Sequence, residues 1–347
     1  MVKTKTDPGA VARSVQDEPM QLREWGTDHV FPLPPPRTDE FVIGSGSEAW
    51  LQLQDAHQFV SRRHAVLRLK DDQWMIADAR SKNGLWIDGE RIVAAPILAG
   101  AEILVGRRHL VVESPRLVLR RSLLLRLLGW TAEQAPMVDR GLRALRAYGS
   151  RQSPLWLTGK DDLIAIARRI HAEVVGADHA FVIAHLSDDE ASLAEAVEAA
   201  RGGTLCLATV RVPRDLRAIR ALASEREPRS RVVVCAVAGL HPTSIDIPAI
   251  AIRERELERI VDEYAADALA VLGAKPASFT SGDRAWLLDR RLETLGEIEQ
   301  ATLRMVAIRE HGGVTHAAPE LGVTHSALSR WLARRLVRRA RPRTRRS

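Results

Sequence analysis

The fold of the first part of the chain is decided by residues 41–92, which read FVIGSGSEAWLQLQDAHQFVSRRHAVLRLKDDQWMIADARSKNGLWIDGERI. Short apolar runs recur along this stretch, and turn signals such as Asp71-Asp72, Asn83-Gly84 and Asp88-Gly89 separate them. A further strand-like run, EILVGRRHLVVE, continues to residue 113. Many short strands at such spacing indicate a β-sandwich. We therefore predict an all-β domain over residues 40–113.

Two polar clusters interrupt these strands, Ser61-Arg62-Arg63-His64 and Ser81-Lys82-Asn83-Gly84. Guanidinium groups, an ammonium group and a hydroxyl are the donors that suit a phosphate, and an Asn side chain can hold the backbone of a bound peptide. On these residues alone the first cluster could equally be an ordinary surface turn.

The run FVIGS…VSRRHAVL…DARSKNGLWIDGERI closely resembles the forkhead-associated (FHA) domain, a β-sandwich that binds phosphothreonine. The resemblance implies that Ser61 and Arg62 contact the phosphate, that Lys82 lies beside it, and that Asn83 holds the peptide backbone. The full set of expected phosphopeptide-binding residues is Ser45, Ser61, Arg62, Arg63, Lys82 and Asn83. The structural residues expected within the motif are Gly44, His64 and Gly84.

One position departs from the family pattern. The family usually has Gly-Arg where this chain has Gly44-Ser45, and that arginine helps to hold the phosphate. Its absence is expected to weaken binding or to shift the charge contact to Arg62, Arg63 or Lys82. The alternative is a retained scaffold that no longer binds phosphopeptides.

The central segment, residues 151–280, alternates apolar and helical runs, which indicates a parallel sheet flanked by helices. The runs PLWLTG…IARRIH, GGTLCLATV, RVVVCAVAG and IAIRERELERIVDEYA resemble the AAA+ domain of sigma-54 enhancer-binding activators. The resemblance also shows what is missing. Pro154 stands where a Walker loop needs glycine before Gly159-Lys160, and Ala208-Thr209 replace the two carboxylates that organise Mg²⁺ and water. We expect a reduced, catalytically inactive AAA+-like domain, with an unrelated α/β domain as the alternative.

Residues 314–336, VTHAAPELGVTHSALSRWLARRL, predict two short helices joined at Gly322, with Thr324 capping the second. The pattern resembles the Fis-type helix-turn-helix, and it places a helical bundle over residues 284–337. A helix-turn-helix inserts its second helix into the major groove of DNA. The expected DNA-binding residues are Thr324, His325, Ser326, Ser329, Arg330 and Arg334.

The chain ends in a basic tail, residues 338–347. Nine arginines and no acidic residue lie between Arg330 and Arg346, so this end supplies more than the whole net charge of +7. A local cluster of this kind indicates a polyanion partner, most often nucleic acid, although a solvated tail without a partner is the simpler alternative.

The termini, the apolar runs and the cysteines limit the class of protein and its location. Residues 1–39 are polar or proline-rich and are expected to be disordered, and residues 114–150 are expected to form a helical linker. No 18-residue apolar run and no signal-peptide pattern is present, and the two cysteines lie in apolar runs. We therefore expect a cytoplasmic, multidomain protein that does not contact membranes and has no metal, no cofactor and no catalytic residues.

Three functions fit these features. We favour a phosphothreonine-responsive transcription regulator whose partners are a phosphothreonine-containing protein, double-stranded DNA and a second copy of itself, with RNA polymerase holoenzyme as a further candidate. The second is an adaptor in Ser/Thr-kinase signalling that does not recognise a DNA sequence. The third is an atypical ATP-dependent sigma-54 activator, against which the missing carboxylates argue.

Overall fold

The computed structural model of the chain describes residues 17–35, 40–212, 219, 230–239, 241–290 and 292–337. An N-terminal β-sandwich is followed by a helical pair, a mixed α/β layer and a group of C-terminal helices.

The sandwich consists of two sheets that enclose one apolar core. The first sheet has the strand order β2-β1-β11-β10-β7-β8 and the second the order β4-β3-β5-β6-β9. Leu22, Ile43, Leu67 and Ile103 are fully buried between them. The strands are β1 (Gln21–Glu24), β2 (Val30–Pro32), β3 (Phe41–Gly44), β4 (Leu51–Gln52), β5 (Ala65–Lys70), β6 (Gln73–Asp78), β7 (Leu85–Ile87), β8 (Glu90–Ile92), β9 (Ala94–Pro96), β10 (Glu102–Val105) and β11 (Arg108–Glu113).

The prediction of disorder over residues 1–39 is wrong for β1 and β2. Strand β1 pairs antiparallel with β11, with Leu22 opposite Val112, and β2 pairs with β1. The physical reason is that Leu22 fills the sandwich core, while the backbone of β1 forms hydrogen bonds with the N–H and C=O groups along one edge of β11. Residues 1–16 and 36–39 lie outside the described residues.

The segment predicted as a helical linker forms two packed helices, α1 (Pro115–Leu128) and α2 (Ala135–Gly149). Ser114 caps α1 by accepting a hydrogen bond from the N–H of Leu117 at 3.3 Å. Leu124 and Leu145 belong to a core shared with the sheet that follows. The helices therefore join two layers instead of spacing them apart.

A buried ionic cluster fastens α2 to the sandwich. Arg23 on β1 is 1% exposed, and its Nε donates to Glu113 at 2.6 Å. The same guanidinium makes a two-pronged contact with the carboxylate of Asp139 on α2. That carboxylate also accepts from the N–H of Gly26 at 2.6 Å. Both acids thus keep a charged partner although they are removed from water.

The third layer is a parallel sheet with the order β13-β14-β15-β12-β16, as the alternating pattern predicts for the strands of residues 155–239. Cys206 and Cys235 are buried free thiols on neighbouring strands, with their Sγ atoms 3.7 Å apart. The alternating pattern also predicts a helix over residues 214–225, which lies outside the described residues except for the buried Ile219. The elements are β12 (Leu155–Gly159), α3 (Leu163–Val174), β13 (Phe181–His185), α4 (Glu190–Ala199), β14 (Thr204–Arg211), β15 (Arg231–Ala238) and β16 (Ile245–Ile247).

The chain then becomes helical. The predicted bundle over residues 284–337 contains most of the last four helices, and residues 290 and 292–294 between the first two of them are not helical. Within the described part of the chain, no helix is both long and apolar enough to cross a lipid bilayer. The helices are α5 (Leu257–Val271), α6 (Ser281–Asp289), α7 (Leu295–Glu310), α8 (Val314–Glu320) and α9 (His325–Val337).

Candidate functional site

Two loops of the sandwich meet just before the first residues of β5 and β7. The backbone N–H of Lys82 donates to the Oγ of Ser61 at 3.1 Å, although 21 residues separate them. Because Ser61 accepts this bond, its own hydroxyl proton stays available for an acceptor such as a phosphate oxygen. The contact therefore brings together the two clusters that the sequence analysis singled out.

His64 braces the same loops from within. It is fully buried, its Nδ1 accepts from the N–H of Ser61 at 3.1 Å, and its Nε2 lies 3.1 Å from the carbonyl oxygen of Gly84. Since Nδ1 accepts, the neutral ring carries its proton on Nε2 and donates it to Gly84. This placement agrees with the structural role expected of His64.

Two glycines permit close packing around these loops. A Cβ on Gly44 would lie 2.2 Å from the carbonyl oxygen of Arg62. Gly84 has a φ of +77°, and its N–H donates to the Oγ of Ser81 at 3.0 Å. A side chain at Gly44 would push its loop away from Arg62, whereas a Cβ at Gly84 would lie 2.5 Å from the Nε of Arg91.

Ser45 faces the backbone of the neighbouring loop. Its Oγ donates to the carbonyl oxygen of Val60 at 2.9 Å, and its N–H donates to that of Ser61 at 3.0 Å. The hydroxyl proton is thus already in use, whereas a phosphate requires donors. This geometry gives Ser45 a bracing role instead of the expected contact with the phosphopeptide.

The expected cations differ in their surroundings. Arg62 and Lys82 are exposed, and neither forms an ion pair with another described residue. Arg63 instead pairs with Glu40 at 2.8 Å, and Glu40 also lies 3.3 Å from Arg68. Arg62 and Lys82 are therefore the cations best placed for a bound phosphate.

Asn83 is exposed and anchored at one end. Its Nδ2 donates to the carbonyl oxygen of Phe59 at 2.8 Å. The amide oxygen of the side chain remains able to accept from the backbone of a bound peptide. This arrangement fits the role that the family resemblance implies for Asn83.

Asp55 was missed by the sequence analysis. Its carboxylate accepts from the N–H of Val60 at 2.7 Å and from that of His57 at 3.1 Å. Although desolvation opposes the shift, these backbone hydrogen bonds lower the pKa of Asp55. The sequence signal is an Asp within a loop, because an Asp side chain often accepts hydrogen bonds from backbone N–H groups that follow it. Asp55 shapes the loop that carries Ser61 and Arg62.

The second set of expected site residues lies on the α8–α9 pair. Gly322 has a φ of +62° between the helices, and the Oγ1 of Thr324 accepts from the N–H of Ala327 at 3.2 Å. Leu328 is buried with Ala307, Ala317 and Ala318. The structure leaves one surface open along the start of α9, with the following residues exposed: Thr324, His325, Ser326, Ser329 and Arg330. Arg334 lies in α9, but its side chain is outside the described set.

Trp331 was also missed as a packing residue. Its ring meets that of Trp286 edge-on, with 6.2 Å between centroids, and Arg304 lies over its face. The sequence predicts an apolar stripe of Leu328, Leu332 and Leu336 on this helix, and Trp331 falls outside that spacing. The contact fixes α9 against α6 and α7.

The turn after β12 is short and carries two acidic residues. It runs from Lys160 to Asp162, where α3 begins, and Asp162 caps that helix by accepting from the N–H of Ala165 at 3.0 Å. Asp161 accepts from the N–H of Leu295 at 2.8 Å. Two carboxylates at a helix N-terminus repel an anionic phosphate instead of attracting it. Among the described residues, no cluster of His, Cys, Asp and Glu could hold a metal ion.

The comparison with protein families identifies the sandwich. Residues 41–106 match the family model of the FHA domain, so this part of the chain is an FHA domain, as the sequence analysis predicted. Domains of this family bind phosphothreonine-containing partner proteins in signalling. No curated protein matches this chain significantly.

Several solved structures are similar over the same part of the chain. One comes from a structural and functional analysis of phosphothreonine-dependent FHA domain interactions, with 26% identity, coverage of 27% of this chain and 93% of that chain, and a TM-score of 0.24. The FhaA FHA domain complexed with the intracellular domain of Rv3910 has 26% identity, coverage of 27% and 98%, and a TM-score of 0.24. EmbR of Mycobacterium tuberculosis in complex with a low affinity phosphopeptide has 26% identity, coverage of 27% of this chain but 24% of that chain, and a TM-score of 0.25.

Proposed function

We propose that this chain is a phosphothreonine-responsive DNA-binding transcription regulator with an inactive AAA+-like domain. The observation that carries the first half is the hydrogen bond from Lys82 to Ser61, which joins the two polar loops of the FHA domain. It groups a hydroxyl donor with the exposed side chains of Arg62 and Lys82. Such a group of one neutral and two cationic donors suits a phosphate dianion.

Support for DNA binding comes from the C-terminal helices. The buried Leu328 anchors α9, while a row of polar side chains from Thr324 to Arg330 stays exposed on its first turns. The N-terminal residues of a recognition helix are those that contact base edges. The arginines of residues 338–347, outside the described part, would add contacts to the phosphate backbone.

Support for an inactive central domain comes from the turn after β12. Asp161 and Asp162 are engaged with backbone N–H groups where a nucleotide-binding relative would present donors to phosphate. In our proposal this layer holds the FHA domain and the C-terminal helices in a fixed relationship. Self-association and contact with RNA polymerase are further proposals from the AAA+ resemblance, which sedimentation analysis and binding to purified holoenzyme would test.

The decisive experiment measures binding of the full chain to a phosphothreonine peptide library, with the unphosphorylated peptides as reference. Ser61→Ala removes a donor to the phosphate, and a hydrogen bond to a charged group is worth about 1.5–3 kcal/mol. We expect affinity to fall about tenfold or more. Ser187→Ala, which changes an exposed serine in another layer, is the matched control and should bind as the unaltered chain does.

Two results would contradict the proposal. Absence of any phosphorylation-dependent ligand would indicate that the FHA domain is a non-binding scaffold. Phosphopeptide binding together with no preference among genomic DNA fragments would favour the adaptor function instead.

A further inference from the structure

The end of the sandwich that carries Ser61 has an excess of cations. The three loop segments 44–64, 79–84 and 106–107 contain five Arg or Lys residues but only two acids, Glu48 and Asp55. The carboxylate of Asp55 is bonded to backbone N–H groups of its own loop. Arg63 pairs with Glu40, and Arg62 and Lys82 are placed for the phosphate, which leaves Arg80 and Arg107 as the remaining cations at this end.

Arg107 is the cation whose position is best defined. Its guanidinium carbon lies 3.7 Å from the centroid of the Phe59 ring. The carbonyl oxygen of Phe59 accepts from the side chain of Asn83. Arg107 and Asn83 therefore contact the same residue from two different loops, and Arg107 lies beside the position expected for the bound peptide.

The backbone holds Arg107 in this place. Gly106 has a φ of +65°, and a Cβ there would lie 2.6 Å from the carbonyl oxygen of Phe59. Glycine thus allows the turn between β10 and β11 to press against Phe59. A guanidinium stacked on an aromatic face keeps the N–H groups at its edge able to bind an anion. Arg107 is exposed and forms no ion pair with the residues described here.

We propose that Arg107 binds a second anionic group of the ligand, a carboxylate or a second phosphate close to the phosphothreonine. The inference rests on the proposed phosphothreonine binding and adds a preference within it. The chain would thereby select partners whose phosphorylated segment is acidic or doubly phosphorylated. Phe59 acts as a positioning residue because it orients Arg107 and supports Asn83.

The test uses the full chain and a family of phosphothreonine peptides measured by fluorescence anisotropy. One peptide has neutral flanks, a second set carries a single Asp scanned along both flanks, and a third set carries a second phosphate at the same positions. Since an exposed ion pair is worth about 0.2–1 kcal/mol, the best Asp peptide should bind about two- to fivefold tighter than the neutral one. The gain should shrink with added salt.

Arg107→Gln should abolish this gain while leaving the affinity for the neutral phosphothreonine peptide nearly unchanged. Lys70→Gln is the matched control, because it removes an exposed cation at the far end of β5 from the motif. The length of β5 from Ala65 to Lys70 is about 17 Å at about 3.3 Å per residue. It should leave both affinities as they are. A gain found for the second phosphate and not for Asp would identify a doubly phosphorylated ligand.

The outcomes separate the two proposals. If phosphothreonine peptides bind but no flanking anion improves affinity, or if the gain persists in Arg107→Gln, the role of Arg107 is wrong and the proposed function stands. If no phosphothreonine peptide binds at all, both fail together.

Discussion

The carboxylate of Asp161 accepts a hydrogen bond from the backbone N–H of Leu295 at 2.8 Å, across 134 residues of chain. Asp161 follows β12 in the parallel sheet, and Leu295 is the first residue of α7. One acidic side chain in the turn after β12 therefore accepts a hydrogen bond from the backbone at the start of a C-terminal helix. Asp162 beside it caps α3. Both carboxylates of this turn are thus engaged with backbone N–H groups.

The first prediction is that the chain does not hydrolyse ATP. Phosphoryl transfer needs groups that position the phosphates and neutralise their charge, whereas the turn after β12 carries the carboxylates of Asp161 and Asp162 and β14 carries Ala208-Thr209. Phosphate release by the purified chain, with and without DNA, should equal the rate without protein. Turnover that disappears in a Lys160→Ala variant would show that Lys160 contacts phosphate and that the prediction is wrong.

The second prediction concerns the Arg23 cluster. Arg23→Met leaves the carboxylates of Glu113 and Asp139 buried without their cation, which should lower the free energy of unfolding by about 3–5 kcal/mol. Arg143→Gln, which breaks a half-exposed pair with Glu102, is the control and should cost about 1 kcal/mol or less. Urea denaturation followed by tryptophan fluorescence measures both, and equal costs would show that burial does not decide the effect.

The third prediction is a pH dependence at Glu102. Although burial opposes the shift, hydrogen bonds from His109 and Arg143 lower the pKa of Glu102 from 4.5 to about 2. A depressed carboxyl pKa stabilises the folded state above the unfolded value and loses that contribution as the pH falls from about 4.5 toward 2. The stability difference between the unaltered chain and Glu102→Gln should therefore shrink over this interval. A difference that stays constant down to the lowest pH at which both remain folded would contradict the assignment.

The fourth prediction separates affinity for DNA from its specificity. Deleting residues 338–347 removes six arginines, and the slope of log affinity against log salt should flatten by about 0.9 for each DNA phosphate that these arginines neutralise. The preference for one sequence over another should persist after the deletion. Mobility shifts on specific and unrelated duplexes at several salt concentrations measure both quantities.

Arg330→Ala should have the opposite signature, because Arg330 is exposed on α9 and is expected to face the bases. Discrimination between duplexes should fall while the salt slope changes little. Arg255→Ala, an exposed arginine ahead of α5, is the matched control. Equal losses on every duplex from the deletion and from Arg330→Ala would mean that α9 does not recognise bases.

The FHA sandwich could be predicted because its signals are local. Asn83-Gly84 and Asp88-Gly89 mark turns that lie where the structure has them, and the motif residues follow strands whose alternation is clear. Strand β1 could not be predicted in the same way. This strand is held in place by Leu22, which fills a core built from residues far along the chain. It is also held by Arg23, whose partners Glu113 and Asp139 are 90 and 116 residues away.

The residues of the candidate site differ in the same way, because some are marked by a local motif and others depend on distant contacts. Ser61 and Asn83 were found because a family motif records them. Arg107 lies on a separate turn, and only its stacking on Phe59 brings it to the other two. Ser45 was counted among the phosphopeptide-binding residues because of its position in the motif, whereas the structure directs its hydroxyl to the carbonyl oxygen of Val60. A sequence motif predicts neighbours along a loop, but the direction of a hydroxyl depends on the loop packed against it.

The pairing of β1 with β11 has a consequence for the boundaries of the FHA domain. A fragment that begins at residue 40 would keep the whole phosphate-binding motif but would expose the backbone of β11 along Leu110 to Glu113. An unpaired strand of this kind recruits strands from other molecules, because its N–H and C=O groups seek partners. Loss of solubility in such a fragment would therefore reflect a missing strand, and a fragment starting before Gln21 should avoid it.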